Sequence, residues 1–122
     1  MKIYVSHSRS FDFINELYQP LKSPSLSGNH QFILPHELSQ EDYPSKKLFI
    51  DKGCDLVLAE VSFPSTGQGI ELGWADIAGI KIICVSRKTS KVSGSLKVVC
   101  TDFLIYNDAG DLIEKLLNYL SK

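Results

Sequence analysis

Residues 55–74 read DLVLAEVSFPSTGQGIELGW, and a change of hydrophobic period inside that stretch decides the fold class. From Leu56 to Val61 the chain is a short, continuous apolar run closed by a polar turn, as expected of a strand covered on both faces. From Gly69 onward Ile70, Trp74 and Ile77 recur at i, i+4 and i+7, and Gly79 closes the helix that this spacing predicts. A second apolar run, Ile80 to Val85, follows at once. Strand, helix and strand in immediate succession form a right-handed crossover between parallel neighbours.

The same alternation extends in both directions. Upstream, Ile3 to Val5 is a short strand, the polar residues Ser6 to Ser10 a turn, and Phe11, Ile14, Leu17 and Leu21 a helical stripe with Ser10 as its N-cap and Asp12 in its first turn. Pro20 and the Ser-, Pro- and Gly-rich segment from Ser23 to Asn29 end that element and read as a loop. Phe32 to Leu34 is a strand stopped by Pro35, and Pro44 to Lys52 a helix with Leu48 and Phe49 turned inward. Downstream, Phe103 to Tyr106 is the last strand. An amphipathic helix capped near Asn107 or Asp108 follows, with Leu112, Leu116 and Leu120 on one stripe and Ile113 and Leu117 beside it. The expectation is α/β: a doubly wound, flavodoxin- or Rossmann-like sheet of five parallel strands with helices on both faces.

Composition narrows the function classes. The 122 residues, 43% hydrophobic, suit one domain spanning 1–122. With 13 basic against 14 acidic residues the net charge is -1, so no field favours a nucleic acid polymer or an anionic membrane. No stretch approaches the roughly 18 apolar residues of a membrane span. Cys54, Cys84 and Cys100 are odd in number, lie in or beside apolar runs and lack metal-ligand spacing, so they read as buried free thiols. That usage, with an N-terminus lacking a signal-peptide pattern, points to the cytoplasm. No metal and no organic cofactor are implied.

In open parallel sheets ligands bind beyond the carboxyl ends of the strands. The topology therefore gathers Arg9, His36, Ser65, Glu71 and Arg87 at one edge. The richest segment there is Pro64 to Gly69, where proline stiffens the turn, Gly67 and Gly69 allow close backbone approach, and free N–H groups at the helix start can hold an anion. Glu71 is expected in the first helical turn, where the dipole favours an ionised carboxylate and so a nucleophile or electrostatic stabiliser. An acidic residue there is equally ordinary helix chemistry. The GxGxxxG spacing follows the third strand, so a dinucleotide fingerprint is unsupported, and a Walker Lys-Ser/Thr pair is absent. A phosphoacceptor receiver would carry acidic residues where this chain has Ser6 and His7.

The run from Cys54 to Ala75 resembles the nucleoside 2-deoxyribosyltransferase superfamily, and is closest to its 2'-deoxynucleoside 5'-phosphate N-hydrolase branch. The element order, the opening Ile-Tyr-Val strand and the final amphipathic helix agree over the remainder. The resemblance implies cleavage of the N-glycosidic bond of a (deoxy)nucleoside or its 5'-monophosphate, with Glu71 attacking C1'. It also implies that Ser65, Gly67 and Arg9 hold the 5'-phosphate, that His7 stands where the family has a serine, and that a partner subunit supplies Ser93 or Ser95, hence a homodimer.

The departures are specific. The family's aspartate on the helix before the third strand falls at Lys47, with Asp51 one turn on as a substitute or as a surface partner of Lys47. Ser6 replaces a glycine, and Trp74 stands where arginine is frequent. Tyr4, alternating with Ile3 and Val5, reads as core before it reads as a ligand contact. Asp55 is a turn residue or, by the resemblance, near the site. His36 is a capping residue or a donor to base or phosphate. Trp74 reads as core or dimer interface before it reads as a pocket wall, and Arg87 as part of a solvated basic loop before a phosphate ligand. The rival function is a catalytically silent nucleotide-binding module that kept the phosphate turn. A flavodoxin-like electron carrier is a weaker third.

Overall fold

The computed structural model describes residues 1–100 and 102–122. Its sheet has five strands, all parallel, in the order β2-β1-β3-β4-β5, with β1 Lys2–His7, β2 Gln31–Ile33, β3 Leu56–Glu60, β4 Lys81–Arg87 and β5 Asp102–Tyr106. The chain runs outward from β1 to β2, returns to β3 and then proceeds the other way, so β1 and β3 flank the point where the winding reverses.

Every residue of β3 is buried, as its unbroken apolar run requires, and its side chains alternate between two cores. Leu56 and Leu58 join Ile3, Val5, Ile83 and Val85 beneath Leu17, Leu21, Leu112 and Leu116. Val57 and Ala59 join Tyr4, Ile82 and Cys84 beneath Phe49, Leu72 and Ala75. The first core is covered by α1, π-wound over Ile14–Tyr18 and α-helical over Gln19–Leu21, by α2 Pro24–Ser27 and by α5 Ala109–Leu120; the second by α3 Ser45–Ile50 and α4 Thr66–Ile77. The sheet is therefore doubly wound with helices on both faces. All three cysteines are buried and free.

Local departures from the sequence reading have identifiable causes. The segment read as a loop contains α2, with Pro24 pre-setting its first turn and Leu26 fully buried. Ser10 does not cap α1; its hydroxyl pairs with that of Ser8, and Asp12 instead accepts from the Asn15 side-chain amide at 2.9 Å. The helix α4 begins at Thr66, not Gly69, because the Ser65 hydroxyl accepts the Gln68 N–H at 3.3 Å and supplies the N-cap. Glu71 thus lies beyond the first turn, away from the free N–H groups of the helix terminus. The helix also presents a different face from the one its spacing suggests. Gln68, Leu72 and Ala75 pack inward, while Ile70 and Ile77 are 50% and 90% exposed. At the far end Gly79 takes φ 78°, the left-handed turn expected after a helix.

The amphipathic stripe of α5 makes a stability prediction. Leu112→Ala, at a position with 0% exposure, should cost about 2–5 kcal/mol by urea denaturation. Leu38→Ala, at 95% exposure, should change stability by less than about 0.5 kcal/mol.

Candidate active site

Strand alternation puts Tyr4 and Ser6 on the same face of β1, two residues apart and pointing toward α4. Both hydroxyls donate to Glu71: Tyr4 to Oε2 at 2.6 Å and Ser6 to Oε1 at 2.9 Å. Tyr4 is therefore core and site at once, its ring edge-on to Phe49 at 5.2 Å and its hydroxyl reaching the carboxylate. Burial first, and the facing Glu71 second, hold the Tyr4 phenol far above its ordinary value, so it remains a donor.

Glu71 opens onto a cavity of about 270 Å³. Arg9 and His7 from the end of β1, His36, Asp42 and Tyr43 from the loop after β2, and Ser45 from the start of α3 form one side. Ser65, Gly67, Gln68, Ile70 and Trp74 from the turn and the first nine residues of α4 (Thr66–Trp74) form the other. The sequence reading named Glu71, Arg9, His7, His36, Ser65 and Gly67 for this region, and the fold brings them together. Trp74, read there as core or interface, is a wall of the cavity, with the Lys46 ammonium 5.7 Å from its ring centroid.

Four groups are placed differently. Asp51 caps α3 and pairs with Lys47 at 2.7 Å on an exposed face, and neither side chain lines the cavity. Asp55 sits at the amino end of β3, where its carboxylate accepts the Lys2 N–H at 2.7 Å. That is a strand length, roughly 16 Å at 3.3 Å per residue, from the carboxyl edge. Ser93, Ser95 and Gly69 line a separate groove of about 350 Å³ with Phe63, Pro64 and Lys91, which shares only Ser65 and Gln68 with the main cavity. Arg87 pairs with Glu16 at 2.7 Å and lies over Phe11 and Phe63, pinning the turn from outside the cavity.

His7 is the most constrained group. Its Nδ1–H donates to the Ser8 carbonyl at 2.8 Å, and its Nε2 accepts from the Tyr18 hydroxyl at 2.7 Å, which itself accepts the His36 N–H at 3.1 Å. The Ser8 carbonyl can only accept, which places the proton of the neutral ring on Nδ1. Burial lowers the His7 pKa from 6.5 to about 4 and raises that of Tyr18 to about 12. Both ring nitrogens are thus engaged, and His7 shapes the wall instead of offering a charge. Arg9 does offer one; its guanidinium donates to the neutral side-chain amide of Gln40 at 2.7 Å and faces the cavity.

Four cavity residues, Asp42, Tyr43, Ser45 and Gln68, escaped the sequence reading. Asp42 and Tyr43 come from a polar loop that carries no periodicity, and Gln68 sat unremarked between two conspicuous glycines. Among the described residues no cluster of three or more His, Cys, Asp or Glu side chains is arranged to hold a metal, and no helix is long and apolar enough to cross a membrane.

No family model matches this sequence, and no curated protein sequence is matched by it. Among solved structures the fold is similar to that of a Clostridium botulinum CMP N-glycosidase, BcmB, with a TM-score of 0.62 at 24% identity over 95% of this chain and 98% of that one.

The trapped imidazole makes stability depend on pH. The unfolded chain takes up a proton on His7 near 6.5 and the folded chain only near 4, so the unfolded state binds more protons between them and stability falls as pH drops through that window. The loss by pH 4 should be on the order of 3 kcal/mol, read by urea denaturation at successive pH values. His7→Gln should flatten the slope, and an unchanged slope would exonerate His7.

Proposed function

We propose that the chain is an N-glycosidase acting on a nucleoside or, more specifically, its 5'-monophosphate, with residues 1–122 serving as one nucleoside 2-deoxyribosyltransferase-like domain. The observation that carries this reading is the Glu71 carboxylate, fixed through both oxygens by Tyr4 and Ser6 at the edge of a cavity of about 270 Å³. Its support is twofold: the resemblance of residues 54–75 to that superfamily, and the shared fold with a protein described as a CMP N-glycosidase.

The chemistry follows from charge. An oxygen of Glu71 attacks C1' as the C1'–N bond breaks, and the bonding electrons leave with the base. The oxocarbenium-like transition state is stabilised by the carboxylate, and the Tyr4 and Ser6 hydroxyls keep it aimed. The base needs a proton, and Asp42 is the cavity's second carboxyl group. As an acid it protonates the departing nitrogen; as a carboxylate it then deprotonates the water that attacks C1', releasing the sugar with net retention and restoring Glu71. Attack by a second base instead of water would make the enzyme a transferase. Arg9 with the Ser65 hydroxyl and the Gly67 N–H at the start of α4 would hold the phosphate. The scheme uses no cofactor.

Free base released from nucleosides and their 5'-monophosphates, followed by chromatography, tests the reading. The parent should cleave at least one of them, and Glu71→Ala should fall to background. Asp42→Asn should lose about 10²–10⁴-fold on a cytosine nucleotide, yet less than about tenfold on a 7-methylguanine nucleotide, whose cationic base leaves without a proton. Base release by Glu71→Ala at the parent rate sinks the assignment. Nucleotides that raise the melting temperature with no product in the same tubes would establish the silent binding module instead. An added acceptor base separates hydrolysis from transfer.

The outward face of α4, with Ile70 and Ile77 exposed beside Trp74, is where we place the second copy of a homodimer. Sedimentation should show a dimer that Ile77→Glu converts to monomer; a parent that sediments as a monomer would refute it.

A further inference from the structure

Gln68 is buried at 6% exposure on α4, in the space between the ends of β1 and β3. Its Nε2 donates to two backbone carbonyls at once, that of Ser6 at 3.1 Å and that of Glu60 at 2.8 Å. Ser6 is the last residue but one of β1 and Glu60 the last of β3, so a single side-chain amide ties the two neighbouring strand ends to α4.

Three residues on from Gln68, on the same side of the helix, is Glu71. The contacts form a closed ring: α4 grips the Ser6 backbone through Gln68, and the Ser6 hydroxyl grips α4 again through Glu71 at 2.9 Å. Meanwhile the Gln68 backbone N–H occupies the Ser65 hydroxyl at 3.3 Å, and the Gln68 side chain stands between the main cavity and the groove of Ser93 and Ser95. We infer that Gln68 is the positioning residue of this site, setting the distance between Ser6 and Glu71 and thereby the aim of the carboxylate. The inference rests on Glu71 acting as the nucleophile. Gln68 itself touches no reacting atom. Its removal frees α4 to shift against β1, and displacements of about 1 Å at a reacting group are enough to cost some 10²-fold in rate.

Two variants of similar shape test it. Gln68→Leu cannot donate and should lower kcat about 10–100-fold with KM within about threefold of the parent. Gln68→Glu can donate only when protonated, so its kcat relative to the parent should recover as pH falls through the titration of the new carboxyl. A residue of merely structural importance would lower the melting temperature of both variants without that recovery. Folded Gln68→Leu with kcat within about threefold of the parent would overturn the inference, as would a Gln68→Glu profile parallel to the parent's. A parent that releases no base refutes the glycosidase reading separately. Positioning is then decided by the carbon-13 resonance of the Glu71 carboxyl, which reads the Ser6 hydrogen bond directly. It should move in Gln68→Leu, and a stationary resonance would refute the role of Gln68.

Discussion

The carboxylate of Glu71, shared between the hydroxyls of Tyr4 and Ser6, is the interaction on which the site's arrangement depends. It joins the first strand to the fourth helix across the reversal point of the sheet, where no ladder hydrogen bond can do so. A carboxylate partly withdrawn from water needs donors, and two neutral hydroxyls supply them without the cation that would neutralise its charge. The group is held firmly and still carries its negative charge to the cavity.

On the other side of the sheet a second buried carboxylate is handled in the same manner. Glu60, with 0% exposure, accepts the Ser62 N–H at 2.6 Å, the Ser62 hydroxyl at 2.9 Å and the Tyr106 hydroxyl. Burial, then Glu60 itself, keeps the Tyr106 phenol protonated for that purpose. The Arg87 N–H adds a bond to the Ser62 hydroxyl at 2.8 Å, while its guanidinium spans Phe11, Phe63 and Glu16. Glu60 and Gln68 together hold the turn at Pro64 from below and Arg87 holds it from outside, so a loop of small residues becomes a rigid wall of the cavity.

The neutrality of His7 belongs to the same economy of charge. Were it protonated, its Nε2 could no longer accept from Tyr18, and the Tyr18 O–H would lose its acceptor in a buried site. Aromatic neighbours, with Phe13 centred 4.5 Å from the imidazole, exclude the water that would stabilise the cation. Arg9 is left as the cationic side chain lining the cavity, which it shares with the carboxylates of Glu71 and Asp42.

The sequence by itself determined the strands, the crossovers and the edge at which a site must form, because hydrophobic period and strand direction are local or nearly local properties. It singled out Glu71, Ser65, Gly67 and Arg9 because each sits next to a strand end or a glycine turn. Only the tertiary structure decided which face α4 buries, since its apolar residues surround the helix and the choice depends on how closely Leu72 and Ala75 approach the sheet. It separated Asp51 from the cavity and brought Asp42 to it, because the loop after β2 has no period from which its course could be read. Tyr4 and Gln68 were legible as residues but not as partners of Glu71 and Ser6. A hydrogen bond between positions 67 or 62 apart exists only once the sheet has brought them together.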